Sequence, residues 1–309
     1  MTLQQLEYII AVEKSGYFVE AAEACGVTQS TLSLMVKKLE EELDVKIFNR
    51  DTHPVTVTEV GKSVISEAKL MVFHARQIKE LTNIERELST GDLSIALNTT
   101  VAPVLMAGMF RYMKALHPDI MLRMEEMLTD TVVSKLKKAE IDMGILNYPV
   151  NDPDLLEIPL YHERFLAYVS PKNEAMLQKE HFELEELLDR PVWIMKDGIR
   201  LFDRSMLCSD ETLTLEKVYE GGRVVILMQI VNENGGITIV PETHAALMGE
   251  ELRANLRPIV KPEPKRTIGL AFRKDFIHER MMNIVVKAIK TLIPAEMFDD
   301  MIRTDYLRL

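Results

Sequence analysis

Two cysteines, Cys25 and Cys208, in 309 residues are too few for a disulfide framework, and a reduced, cytoplasmic setting suits them. Long apolar runs are missing as well. No stretch approaches the roughly 20 residues that span a bilayer, so no membrane partner is expected. The opening segment, Met1 to Ile10, has no basic n-region, which argues against export. Seven histidines show neither H-x-x-x-H nor C-x-x-C spacing, so no metal and no other cofactor is expected. Gly221-Gly222 and Gly235-Gly236 lack the pattern of a phosphate loop. No catalytic constellation gathers around Ser205, His244 or Cys208, and the chain does not read as an enzyme.

Positive charge is scarce too. The net charge is −11, and residues 1 to 60 carry five Lys/Arg against ten Asp/Glu. A uniformly basic nucleic-acid footprint is thereby excluded. A local one is not, because Lys37, Lys38, Lys46 and Arg50 are bunched while Glu7, Glu13, Glu20 and Glu23 lie earlier. Such an edge can neutralise a few phosphates. What the chain does have is length for two or three domains and 47% hydrophobic residues, enough for a sizeable core.

The first 60 residues carry a definite pattern. Leu3, Leu6, Ile9, Ile10 and Val12 recur at helical spacing up to Gly16. A short helix follows over Val19 to Cys25, with Ala21 and Ala22 inward, and Gly26 supplies a tight turn. Thr28 suits the N-cap of a third helix, Gln29 to Leu43, whose inward residues are Leu32, Met35, Val36 and Leu39. This is a helix-turn-helix. Val45 to Arg50 and Val55 to Thr58 read as the two strands of a wing. A long helix from Glu59 to about Leu88 shows one apolar stripe, Val60, Val64, Ala68, Met71, Ala75 and Ile78, and a second through Leu70, Phe73, Leu81, Ile84 and Leu88. A helix of that length suits a second copy of the chain as its partner. A core helix of the following domain is the other reading.

After Ser89-Thr90-Gly91 the texture changes to alternating strands and helices. Strands are expected at Leu93–Leu97, Ile120–Met124, Ile141–Leu146, Phe165–Val169, Val192–Met195, Ile237–Val240 and Thr267–Phe272. This rhythm predicts an α/β domain with a largely parallel sheet.

At this point the residues resemble a family. Ala21-Ala22, Val27-Thr28-Gln29-Ser30-Thr31-Leu32-Ser33, Lys37-Lys38-Leu39-Glu40-Glu41-Glu42-Leu43, Ile47-Phe48-x-Arg50 and Thr58-Glu59-x-Gly61 resemble the DNA-binding half of LysR-type transcriptional regulators. Lys261-Pro262-Glu263-Pro264-Lys265-Arg266-Thr267-Ile268-Gly269-Leu270, Asn234-Gly235-Gly236-Ile237-Thr238 and the spacing of Thr100 and Thr129 are similar to the peroxide-sensing OxyR branch. The resemblance implies a winged helix-turn-helix over 1–58, a dimerisation helix and hinge over 59–91, and an effector domain over 92–309. That domain would hold two subdomains of periplasmic-binding-protein type, 92–163 with 267–305, and 164–266, the effector lying between them. It also implies a homodimer or tetramer on an inverted-repeat operator, with RNA polymerase as a further partner.

On the third helix Gln29, Ser30, Thr31, Ser33, Lys37 and Lys38 are the candidate DNA contacts, joined by Arg50. An amide such as Gln29 can bond bidentately to adenine, and Ser33 can reach a base or a phosphate. Lys37 and Arg50 suit phosphates. Asp44 stands where the family has glycine, which should cost stability at the helix end.

The resemblance breaks at the sensing segment. The OxyR branch carries a peroxide-reactive cysteine just after an Asp-Gly pair, and here Asp197-Gly198-Ile199 leads to Arg200. Cys208 lies about where the branch has its second cysteine, so an intramolecular disulfide switch is not expected. Two inputs stay open. One is a small effector, an anion among the candidates, held by Thr99, Thr100, Thr129, Arg200, Asp203 and Arg266. The other is single-cysteine chemistry at Cys208. A ligand-binding protein without DNA binding is the rival from another class.

Overall fold

The computed structural model describes residues 1–84, 91–188, 192–195, 217–219, 223–276 and 278–298. Its contacts divide the chain into two compact units, Met1–Ser89 with Lys137–Glu140, and Thr90–Leu136 with Ile141–Leu309.

In the first unit, α1 (Leu3–Ser15) opens with a capping box between Thr2 and Gln5 and closes at Gly16, in the left-handed conformation with φ 72°. After α2 (Phe18–Ala24), Gly26 turns the chain at φ 65°. Helix α3 (Gln29–Leu43) then starts where the Thr28 hydroxyl accepts from Thr31 N at 3.3 Å. Leu32, Val36 and Leu39 of α3 are wholly buried against Leu6, Ile9, Val12, Ala21 and Ala22. Each such aliphatic side chain contributes about 1.5–3 kcal/mol through burial. Helix α3 ends at Asp44, left-handed with φ 52° and ψ 40°.

The wing is shorter than its sequence predicts. β1 (Phe48–Asn49) and β2 (Thr56–Val57) pair antiparallel over two residues each. Beside this ladder the Ile47 and Phe48 amides both donate to Glu40 Oε1, at 2.8 and 3.2 Å, while Thr58 N donates to Ile47 O at 3.0 Å. Helix α4 (Glu59–Ile84) follows; its expected extension to Leu88 lies outside the described residues. Ile65, Ala68 and Val72 sink into the core of this unit. Val60, Met71 and Ile78 stay 46%, 45% and 66% exposed. The first predicted stripe is thus divided, with Ala68 and the partly buried Val64 packed on the core and Val60, Met71 and Ile78 left outward.

In the second unit, β3 (Gly91–Asn98), α5 (Ala102–Leu116), β4 (Ile120–Met127), α6 (Thr129–Lys137) and β5 (Met143–Tyr148) alternate. β3 lies between β4 and β5 and runs parallel to both. The chain continues through β6 (Leu155–Val169), α7 (Glu174–Leu177), β7 (Phe182–Glu183), α8 (Leu184–Leu188), β8 (Val192–Met195), β9 (Lys217–Tyr219) and α9 (Val224–Asn234). It goes on with β10 (Ile237–Pro241), a 3-10 turn at Glu242–Leu247, α10 (Glu250–Arg253), β11 (Leu256–Val260), β12 (Lys265–Arg273), α11 (Glu279–Lys290) and a second 3-10 turn at Ala295–Met297.

The strand order β4-β3-β5-β12-β6-β10-β8-β9 corrects the largely parallel expectation, because β12 pairs antiparallel with β5 and β6, and β6 antiparallel with β10. Strand β6 is also three times the five-residue strand expected, at 15 residues. It lies along β12 from Leu155 to Arg164 and along β10 from Phe165 onward. Its first part escaped notice because Glu157, Pro159, His162 and Glu163 interrupt the apolar alternation. Pro159 is tolerated beside a register irregularity at Ile268/Gly269.

Candidate functional site

On α3 the structure places Gln29, Ser30, Thr31, Lys37 and Lys38 in solvent and leaves Ser33 half-buried. They occupy the side of the helix that Leu32, Val36 and Leu39 leave free. Lys37 has Glu41 at 3.5 Å, but both are well exposed and the pair is weak. Arg50 is different. Its guanidinium lies 2.9 Å from Glu40 Oε2 and 5.0 Å from the centroid of Phe18, with Ser33 Oγ at 3.5 Å. Glu40 therefore ties together α3, the first wing strand and Arg50.

Thr58 has the matching role just after the other strand. Its hydroxyl donates to Lys46 O at 2.7 Å and accepts from Gly61 N at 2.9 Å. A Cβ on Gly61 would stand 2.2 Å from Ile47 O, so only glycine fits that first turn of α4. These contacts explain Glu40, Ile47-Phe48-x-Arg50 and Thr58-x-x-Gly61 as fasteners that fix the wing against α3. A groove of about 720 Å³ runs there, lined among others by Lys37, Glu40, Lys46, Arg50 and Thr58.

The second unit holds a buried polar chain. Thr129 Oγ1 accepts from Asn98 Nδ2 at 2.8 Å, and Asn98 Oδ1 accepts from Thr100 N and Oγ1 at 2.9 and 2.7 Å. Thr100 Oγ1 accepts in turn from Arg266 Nη1 at 2.7 Å, which also reaches Asn147 Oδ1 at 3.1 Å. Arg266 Nε donates to Glu163 Oε1 at 2.6 Å, and Nη2 lies 2.5 Å from the same oxygen. That second approach is not aligned as a hydrogen bond, so Nη2 gains charge pairing without a directed acceptor. Glu163 Oε2 accepts from Thr243 Oγ1 at 2.5 Å. His244 Nε2 sits 2.8 Å from Thr100 O, so this nitrogen carries the proton as donor.

The placement follows from the topology. Asn98 ends β3, Thr129 follows β4 and Asn147 is near the end of β5. The group thus gathers at the carboxyl ends of three parallel strands, where open α/β sheets bind ligands. Glu163 and Arg266 are direct cross-strand partners on β6 and β12. Glu163 is fully buried and the Arg266 side chain is 4% exposed, so two charges neutralise each other away from water. Burial lowers the His244 pKa below its ordinary 6.5, the Arg266 charge adding to the effect while the bond to Thr100 and the Glu163 charge oppose it. Burial also holds the Tyr161 hydroxyl well above its ordinary range, reinforced by Glu163 and opposed by Arg266.

Of the sequence-predicted effector residues, Thr100, Thr129 and Arg266 meet in this one network. Thr99 is buried beside it with its hydroxyl oxygen unpartnered. Arg200, Asp203 and Cys208 lie outside the described residues. Cys25 is half-buried against the helix-turn-helix core, and burial raises its thiol pKa, with Glu7 adding. Sequence reasoning missed Asn98, Asn147, Glu163, Thr243 and His244. Asn98 and Asn147 carried a faint signal, a polar amide closing an apolar strand; Glu163 carried none before the register of β6 was known. Among the described residues no group of three or more His, Cys, Asp or Glu is arranged to hold a metal, and no helix is long and apolar enough to cross a membrane.

Comparison with known proteins matches residues 3–62 to the family described as "Bacterial regulatory helix-turn-helix protein, lysR family" and residues 86–292 to "LysR substrate binding domain". The chain is 27% identical over 300 residues to the hydrogen peroxide-inducible genes activator of Haemophilus influenzae, covering 95% of this chain and 99% of that protein. It is 28% identical over 276 residues to the DNA-binding transcriptional dual regulator OxyR of Escherichia coli, covering 88% and 90%. Among solved structures, a full-length OxyR variant from Pseudomonas aeruginosa superposes with a TM-score of 0.80 at 27% identity, covering 97% of this chain and 98% of that one.

Proposed function

Because the chain belongs to the LysR family of DNA-binding transcription regulators, with a helix-turn-helix and an effector-binding domain, we propose that α3 is its reading helix and the Thr100–Arg266 network part of its effector site. The observation that carries the first half is the division of α3, with Leu32, Val36 and Leu39 fully buried and Gln29, Ser30, Lys37 and Lys38 exposed. Gln29 and Ser33 read base edges, and Lys37 and Lys38 bind phosphate. Arg50 serves the fold first, through Glu40 and Phe18, and meets phosphate only with the part of its guanidinium left exposed. The molecule works in the cytoplasm as a homodimer or tetramer on an inverted repeat, joined through the Val60, Met71 and Ile78 face of α4, with residues 1–58, 59–91 and 92–309 as its three segments. RNA polymerase is the partner through which a regulator of this type acts.

The effector is a small polar molecule. Glu163 already neutralises Arg266, so the described part of the site offers hydrogen bonds without net charge. An anionic effector therefore depends on Arg200, with Asp203 beside it in sequence. A second reading, chemistry at Cys208 in response to peroxide, is favoured by the relatives named as hydrogen peroxide-inducible activators.

The test is a footprint on the DNA upstream of the protein's own coding region, with and without hydrogen peroxide. Protection that shifts with peroxide in the wild type, and stays fixed in Cys208→Ser, supports the thiol reading. Protection indifferent to peroxide supports the small effector. In parallel, Gln29→Ala and Ser33→Ala should lose discrimination between sites while Lys37→Ala loses affinity for all DNA. Equal losses in all three reject the division of roles.

A further inference from the structure

The outer face of α3 contains one residue that neither the fold nor the polar readers explain. Ser30, Leu34, Lys37 and Glu41 follow one another at steps of four, three and four residues and form a single outward stripe. Ser30, Lys37 and Glu41 are polar or charged. Leu34 is 53% exposed, whereas Leu32 and Leu39 of the same helix are completely buried. Leu34 is also absent from the residues packed around the core of this unit, which include its neighbour Met35. It therefore lies outside the core, yet it stands mid-stripe, one turn beyond Ser30 and one turn before Lys37 and Lys38.

We propose that Leu34 is a specificity-determining residue that packs on the C5-methyl group of a thymine in the major groove. The inference rests on α3 being the reading helix. When such a helix lies in the groove, its outward stripe faces the base edges. Thymine alone presents a methyl group there; the other bases show hydrogen-bond donors and acceptors at their edges. A leucine at that position leaves a cytosine amino group or a guanine carbonyl without a hydrogen-bond partner, and so it disfavours those bases as well as favouring thymine. Ser30 and Lys37 on either side supply the hydroxyl and the ammonium that hold the flanking base or phosphate, which fixes the depth of the leucine.

The experiment uses the full-length protein and a duplex it has selected from a random-sequence DNA pool. Each thymine of the selected site is replaced in turn by deoxyuridine, which removes only the C5-methyl. One thymine per half-site should respond, with affinity falling about fourfold, the cost of one methyl group left unburied. Leu34→Ala should weaken the parent duplex by at least about the same factor, and deoxyuridine at the responding position should then have no further effect. Deoxyuridine effects that persist unchanged in Leu34→Ala, or no responding thymine while Lys37→Ala still weakens binding, overturn the Leu34 contact alone. A selected site indifferent to both Leu34→Ala and Lys37→Ala rejects α3 as the reading helix, and the contact falls with it.

Discussion

Replacing Glu163 by Gln keeps the shape of the side chain and an oxygen for Thr243, but removes the charge that faces Arg266. At 2.5 Å and an effective dielectric of about 20, Coulomb's law gives roughly 6–7 kcal/mol for the pair. Part of that attraction offsets the cost of taking two ions out of water. What remains visible when one partner is lost is about 3–5 kcal/mol, because the other charge is left buried and uncompensated. With the Glu163 and Arg266 side chains 0% and 4% exposed, solvent cannot screen the stranded guanidinium. Urea unfolding of the full chain, followed by the fluorescence of Trp193, reads this directly. Trp193 is the single tryptophan, and its Nε1 donates to Gly235 O at 3.1 Å within the same unit. The double variant Glu163→Gln/Arg266→Met should be more stable than the single one by about 1 kcal/mol or more, since no unpaired cation remains. A loss below about 1 kcal/mol in Glu163→Gln, or a double variant whose loss equals the sum of the two singles, would refute the reasoning.

His244 makes stability depend on pH. Its folded-state pKa lies below 6.5, so the unfolded chain binds the extra proton first. Stability is complete above that value and declines as pH falls through it, by at most about 1.4 kcal/mol per pH unit. His117 is displaced the same way, by burial with Arg280 and Lys287 adding, so His244→Gln should reduce the slope of urea midpoint against pH without abolishing it; an unchanged slope counts against a neutral His244. Asp44→Gly should raise the melting temperature of the first unit by relieving about 1 kcal/mol of left-handed strain, and a lowered one would mean the aspartate side chain serves an unseen purpose. Ala75→Pro, in the interior of α4, costs about 3 kcal/mol of helix and should give monomers in sedimentation. An intact dimer would remove α4 from the interface.

The helix-turn-helix was legible nearly residue for residue. Its core is built from near neighbours in sequence; Gly16, Gly26 and Asp44 mark its turns with left-handed conformations that few residues adopt, and the Thr28 hydroxyl caps α3. The second unit was legible in its first βαβαβ run, where period and length agree. It was misread where the sheet turns antiparallel, because the direction of β6 and β12 depends on which distant strand each meets. The site shares that limit. Thr100 and Thr129 could be picked out through the family resemblance, but Glu163 becomes meaningful only once the β6–β12 register sets it opposite Arg266.

A motif shared with a family is easily taken as the set of residues that perform its function, and this chain argues otherwise. Glu40, Arg50, Thr58 and Gly61 carry much of the resemblance, yet their contacts hold the wing, α3 and the start of α4 in one arrangement. Each contact closes on a backbone group or another motif residue, so changing one disturbs its partner, and the motif is constrained as a unit. The outward residues of α3 are held more loosely, Ser30 and Thr31 by the exposed Thr28 hydroxyl and Lys37 by an exposed Glu41. Their substitution should spare the fold, since Leu34 stands 53% exposed between Ser30 and Lys37. The part of the sequence that names the family therefore fixes how a helix is presented. On the proposed roles, the choice of DNA sequence would rest with the outward residues of α3, Gln29 and Ser33 inside the motif and Leu34 outside it, and their substitution should change the site preferred while leaving stability within about 0.5 kcal/mol.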